Sequence, residues 1–186
     1  PFGGESVNPS WETVSRAAAE GFEVRKVCLP VTFDGAAQRI CEEIRSFDPD
    51  ALVMVGQASG RKGVTVERVA INLADARIPD HAGAQDALLA ENGAAAYFST
   101  LPTREMVRAI TEQGIPAALS YSAGTYVCNC VLYHALHLLK TEGRKGQAAF
   151  IHVPFETAQV EKRPEMPSMP LETMVRALEA ALQVLR

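Results

Sequence analysis

Three residues of this chain could carry nucleophilic chemistry: Cys128, His152 and Glu67. Cys128 sits in SAGTYVCNC, where a small-residue turn hands over to VLYHALHLLK, whose apolar residues recur at helical spacing. The spacing therefore sets the thiol at or near the first turn of a helix, where unpaired backbone N–H groups favour an anion, a thiolate included. Read blandly, Cys is a small core residue. A cysteine nucleophile needs a base or imidazolium partner, and that partner needs a third group to fix its tautomer.

His152, at the carboxyl end of the strand-like QAAFIHVP, is the candidate base. His134 and His137 lie on the same helix as Cys128, and six residues of helix put His134 about 120° around the axis and roughly 9 Å along it, poorly placed to serve the thiol. His81 falls in an irregular segment and stays open on geometry alone. Glu67 is the best orienting carboxylate, because it is a charge inside an otherwise apolar strand and such charges are rarely buried without a partner. The bland alternative for Glu67 is an ion pair with an arginine such as Arg77; Asp75 and Asp80 are rivals that read more naturally as turn-formers.

These residues need a scaffold. The chain has 186 residues, 47% of them hydrophobic, enough to bury the core of one domain spanning residues 1–186. A net charge of −4 leaves no electrostatic footprint for nucleic acid or an anionic membrane, and no apolar run approaches a membrane span. The four cysteines do not form a dense loop framework, which suggests a reducing, cytoplasmic setting.

Along the chain, NPSWETVSRAAAEG reads as a helix capped by Asn8, opened by Pro9 and stopped at Gly21; EVRKVCLPV reads as a strand; GAAQRICEEIRSF reads as a helix capped by Asp34. DPDALVMVG supplies a short buried strand. VTVERVAIN reads as one strand with Thr65, Glu67, Val69 and Ile71 on one face and Val64, Val66, Arg68 and Ala70 on the other. Periodicity is lost from Leu73 to Thr103. A helix from about Arg104 to Gln113, the strand PAALS, the Cys128 helix ending near Gly143, the strand QAAFIHVP and a helix from about Leu171 to Leu185 follow. The alternation predicts a three-layer α/β/α fold, a mainly parallel twisted sheet covered by helices on both sides.

In such sheets the ligand sits beyond the carboxyl ends of the strands, where Gln57, Cys128 and His152 gather an amide, a thiol and an imidazole. Cys130, His134 and His137 at i, i+4 and i+7 share a helix face and were they joined by a fourth ligand would suit zinc; neither GGES nor ASGRKG matches a phosphate-binding pattern. No metal or organic cofactor is expected.

Several segments together resemble the pyroglutamyl peptidase I family: PFGGESVNPSWE, VGQASGR, TVERVAINLADARIPDHAG, SAGTYVCN and FIHVPF, dense from Pro1 to about Phe155. The resemblance implies a cysteine exopeptidase whose triad falls on Cys128, His152 and Glu67, acting on peptides with an amino-terminal pyroglutamate. It also implies that Phe2 presses on the lactam ring, Gln57 hydrogen-bonds near it, Asn8, Ile78 and Val127 shape the wall, the segment around Arg77 helps hold the oxyanion, and the protein forms homotetramers. The family pattern carries an apolar strand and a Gly-Phe-Asp ahead of PFGG, and the expectation is that these precede Pro1. Two other functions stay open: a catalytically inactive lactam-binding protein, and a nucleoside phosphorylase-like enzyme of similar architecture.

Overall fold

The structure, a computed structural model, describes residues 7–75 and 86–186. Phe2, Arg77, Ile78, Asp80 and His81, singled out above, lie outside them. The central sheet holds β1 (Ala51–Gln57), β2 (Val64–Glu67), β7 (Ala117–Ser120) and β8 (Gln147–Val153) in the order β1-β8-β2-β7. The β1–β8 and β2–β7 pairs are parallel, and β2 meets β8 antiparallel. Helices α2 (Phe33–Phe47) and α4 (Val127–Thr141) cover one face; α1 (Pro9–Arg16), α3 (Thr103–Glu112) and α5 (Leu171–Gln183) cover the other. This is the three-layer α/β/α arrangement that the alternation predicts.

The period of two along β8 builds both cores at once. Ala148 and Phe150 enter the core beneath α2 and α4, while Ala149, Ile151 and Val153 enter the core beneath α3 and α5. His152, two residues after Phe150, therefore faces the α4 side. Val64 and Val66 of β2 join the second core, so Thr65 and Glu67 share the face of His152.

Four expectations are corrected, the first being that Asp34 does not cap α2 but lies in its first turn, with Thr32 at the N-cap and no side-chain hydrogen bond there. Helix α1 stops at Arg16 rather than Gly21, although Asn8 caps it as expected, its side chain accepting from the Ser10 N–H at 3.1 Å. Ala17 turns extended, the Lys26 ammonium takes the Ser15 and Ala17 carbonyls, and the Ala18 N–H donates to Glu179 of α5, so neighbouring segments satisfy the backbone groups that further helix would have used. The segment VTVERVAIN is two strands. Arg68 breaks it, donating its N–H to Ser120 and accepting from Ser99, and β3 (Val69–Ile71) leaves the sheet to pair with β6 (Ala96–Phe98). Residues 23–31, read as a strand, form none. Together with β1 they line a groove of about 850 Å³ whose walls include Phe22, Val24, Leu29, Leu52 and Met54, and among the described residues no strand pairs with them. One end of the groove reaches Cys128. The irregular stretch after Leu73 contains only short paired pieces among its described residues: β4 (Ala74–Asp75) with β5 (Asp86–Ala87), and β6.

The elements β9 (Phe155–Glu156) and β10 (Ser168–Met169) pair beyond the sheet ahead of α5. Among the described residues no helix is long and apolar enough to cross a membrane.

Candidate active site

The site grows from the register of three strands. His152 lies beside Gly56 of β1 on one side and Thr65 of β2 on the other. Glu67, paired with Phe150, sits diagonally from His152 on the same sheet face, within reach of a long side chain. The two side chains meet: His152 Nδ1 lies 2.8 Å from Glu67 Oε1, with His152 3% exposed and Glu67 fully buried. A carboxylate accepts only, so Nδ1 carries the proton and donates, leaving Nε2 for the thiol.

Cys128 comes from above the sheet. It is the second residue of α4, half-buried, and its sulfur sits so close over Gly56 that a Cβ on Gly56 would lie 2.8 Å from Sγ. The strand has room for the thiol at that point only because it carries glycine. Helix α4 opens without a side-chain cap at Tyr126, and its first backbone hydrogen bond runs from the Cys130 N–H to the Tyr126 carbonyl. The N–H groups of Val127, Cys128 and Asn129 thus have no backbone partner among the described residues and stand ready to bind an anion. Asn129, buried, holds the helix start in place. Its Oδ1 accepts from the Ile71 N–H at 2.9 Å and its Nδ2 donates to the Ile71 and Leu73 carbonyls at 2.9 and 3.0 Å.

Burial alone would push the His152 imidazole down; Cys128, by charge and a side-chain hydrogen bond, and then Glu67 outweigh it and bring the ring up to about 8. Burial would likewise raise the Glu67 carboxyl, but the hydrogen bond and charge of His152, the Ser120 hydroxyl and the Arg61 charge hold it below the ordinary carboxylate range. The Ser120 hydroxyl acts at a distance, since it donates to the Ser122 carbonyl; Glu67 Oε2 accepts no hydrogen bond among the described residues. The ion-pair reading of Glu67 also holds in part, with a different arginine: Arg61 Nη1 lies 2.6 Å from Oε1.

Asp75 is exposed, and among the described residues it meets the Cys128 loop through its backbone carbonyl, which accepts from Thr125. Gln57 is buried at the end of β1, its Oε1 3.3 Å from Gln159 Nε2, and Val127 and Asn8 line the groove with it. The helix-face set does not converge: the Cys130 thiol reaches the Phe33 carbonyl, while His137 Nδ1 pairs with the Tyr97 hydroxyl at 2.9 Å. No group of three or more His, Cys, Asp or Glu side chains among the described residues is arranged to hold a metal ion.

Sequence reasoning passed over Gly56, Arg61 and Asn129. A signal existed for Asn129, a polar residue between two cysteines at the start of an otherwise apolar helix; the other two become visible only through register.

A thiol at a helix start, an imidazole and a buried carboxylate in this order define the class of thiol-dependent hydrolases that act through an acyl-enzyme. Comparison with known proteins narrows it. A family model described as pyroglutamyl peptidase matches residues 1–186. The chain is 48% identical over 182 residues to the pyrrolidone-carboxylate peptidase of Enterococcus faecalis, covering 96% of this chain and 85% of that protein. A mutant pyrrolidone carboxyl peptidase from Pyrococcus furiosus superposes with a TM-score of 0.93 at 36% identity, covering 99% of this chain and 93% of that one. The pyroglutamyl peptidase I of Bacillus amyloliquefaciens gives 0.90 at 39% identity, covering 99% and 90%. The chain belongs to the pyroglutamyl peptidase family.

Proposed function

We propose that the protein hydrolyses the amide bond after an amino-terminal pyroglutamyl residue, with Cys128 as nucleophile, His152 as acid and base, and Glu67 as the group that orients His152. The observation that carries this reading is the Glu67–His152 hydrogen bond at 2.8 Å aimed at the thiol of a helix start, in a chain of this family.

The Cys128 sulfur attacks the pyroglutamyl carbonyl while His152 holds the thiol proton. The oxyanion forms against the free N–H groups at the start of α4, which act where charge develops. His152 then protonates the departing amine, the C–N bond breaks, and a thioester remains. Water adds with His152 taking its proton, and the C–S bond breaks to release pyroglutamate and the thiol. Glu67 keeps the ring in the tautomer that every step needs.

Pyroglutamate is a neutral lactam without the ammonium that most aminopeptidases grip, so an apolar cleft with a few amide contacts suits it. Gln57 Oε1 is engaged by Gln159, and its Nε2, which donates to no described residue, is available for the lactam oxygen. Phe2, Arg77 and Ile78 are assigned to the ring and oxyanion by family resemblance, and Asn8 and Val127 to the wall. Assembly into homo-oligomers, tetramers by the same resemblance, accords with the exposed Leu88, Phe98 and Tyr121, and a cytoplasmic location accords with four free cysteines. Neither an inactive binding protein nor a phosphorylase is favoured, because the chain belongs to a peptidase family and the relay suits acyl transfer.

Release of a chromogenic amine from a pyroglutamyl amide tests this. Turnover should vanish in Cys128→Ser and persist in Cys130→Ser; loss in both, or in neither, contradicts the assignment.

A further inference from the structure

Arg61 lies in the loop joining β1 to β2, and the mechanism above gives it no task. Its guanidinium nonetheless makes contacts that converge on the relay. Nη1 donates to Glu67 Oε1 at 2.6 Å, the same oxygen that accepts from His152 Nδ1 at 2.8 Å, and also to the Thr65 hydroxyl. Nη2 donates to the Ser122 carbonyl at 3.2 Å, in the segment that leads into α4 and Cys128. The Arg61 side chain is 24% exposed against a carboxylate with no exposure at all, so one face of the guanidinium sits in the protein and the other meets solvent.

We propose that Arg61 is a positioning residue for the relay: it fixes the orientation of the Glu67 carboxylate, ties it to the Cys128 loop, and limits how much of the carboxylate's charge the imidazole receives. The proposal rests on the cysteine-peptidase reading above.

Arg61 acts on the relay in two ways, by placement and by charge. Arg61 and His152 meet the same oxygen from two directions and so pin Oε1, while Oε2 has no described partner, and the guanidinium is itself held by Thr65 and Ser122. The second way is electrostatic. Two donors on one oxygen stand within about 6 Å of each other, where like charges repel appreciably and an opposite charge is shared. Arg61 therefore works against the imidazolium that Glu67 favours. The groups facing His152 are Cys128 from α4, Glu67 from β2, the Phe150 ring on its own strand at 4.7 Å between centroids, and, through Glu67, Arg61. Cys128 and Glu67 raise the imidazole, and Arg61 tempers the second of these.

The test compares Arg61→Met and Arg61→Lys with the wild type in the full chain. In Arg61→Met the alkaline limb of kcat/KM, and the titration of His152 followed by histidine-selective NMR, should both move up by about one pH unit, with kcat lowered about tenfold. Arg61→Lys keeps the charge and should restore the limb while recovering kcat only in part, because a single ammonium cannot span Glu67 and Ser122 together. A merely structural arginine would lower the melting temperature and leave both titrations where they were, and that result overturns the proposal. The NMR titration needs no turnover. An inactive wild type in which His152 still shifts on Arg61→Met would therefore count against the peptidase reading and not against Arg61.

Discussion

The two halves of the active site are held by different physics. His152 and Glu67 stand on adjacent strands inside the sheet, buried, their positions set by register and by the cores that β8 and β2 fill on either side. Cys128 stands on the first turn of α4, half-buried, where the helix has no side-chain cap and its orientation depends on Asn129 gripping β3 and on the space above Gly56. The base is thus fixed by what surrounds it, and the nucleophile by a few contacts at one helix end. Substitutions in the sheet half should alter protonation directly; those in the helix half should alter the placement of the sulfur and, through it, the protonation of His152.

Removing the sulfur breaks the comparison outright. Cys128→Ala should lose at least about 10⁴-fold in kcat, with the thermal melt nearly unchanged because the side chain is small and only half-buried. Turnover surviving in that variant, measured on a pyroglutamyl anilide, would remove Cys128 as nucleophile. Glu67→Gln strikes the sheet half. The amide leaves the imidazole without its counter-charge and free to take the wrong tautomer, so kcat should fall by about 10²–10⁴ and the alkaline limb of the pH profile should move down from about 8. A limb that stays in place would mean that Glu67 does not act on the ring.

Gly56→Ala is the sharpest test of placement. The new methyl would lie 2.8 Å from the Cys128 sulfur and from the Phe150 ring, so thiol, ring or helix must give way; kcat should fall about 10²-fold, and the His152 titration should move down as the sulfur is displaced from the imidazole. Asn129→Ala should have the smallest effect on catalysis, about tenfold, and a plain one on stability. It strands the Ile71 N–H and, among the described residues, the Leu73 carbonyl, while the Ile71 carbonyl keeps the Leu73 N–H; each unmet group costs roughly 1–3 kcal/mol where it stays buried, and a lowered thermal midpoint would register it.

Stability should also depend on pH through His152. The folded state raises this imidazole from 6.5 to about 8, so it binds the proton more tightly than the unfolded chain does. The contribution is fully present below pH 6.5 and is lost as pH rises through about 8. Denaturant midpoints measured at pH 6 and 9 should differ in that direction for the wild type, and the difference should shrink in His152→Ala.

The sheet half was also the half most legible in the sequence. Alternation in VTVE puts Glu67 on a definite face, QAAFIHVP sets His152 at the carboxyl end of a strand, and the lone carboxylate in an apolar run asks for a partner. What the sequence hid was non-local. Nothing in the residues around Gly56 says that a thiol 72 positions later will rest on it, and Arg61 looks like part of a polar loop until β2 brings Glu67 beneath it. The break at Arg68 was concealed because Val69–Ile71 is as good a strand former as Val64–Glu67, and only pairing with β6 separates them. Residues 23–31 have strand-like composition, but a strand exists through its neighbour, and across the groove none of the described residues pairs with them.

The coupling of thiol and imidazole is tested most directly by titrating the four histidines with selective nitrogen labelling in the wild type and in Cys128→Ala. One ring, assigned by its loss in His152→Ala, should titrate near 8 in the wild type and fall when the sulfur is removed, since Cys128 is the leading group that raises it against burial. A His152 that titrates at its ordinary value and ignores the loss of the sulfur would contradict the relay on which the whole account stands.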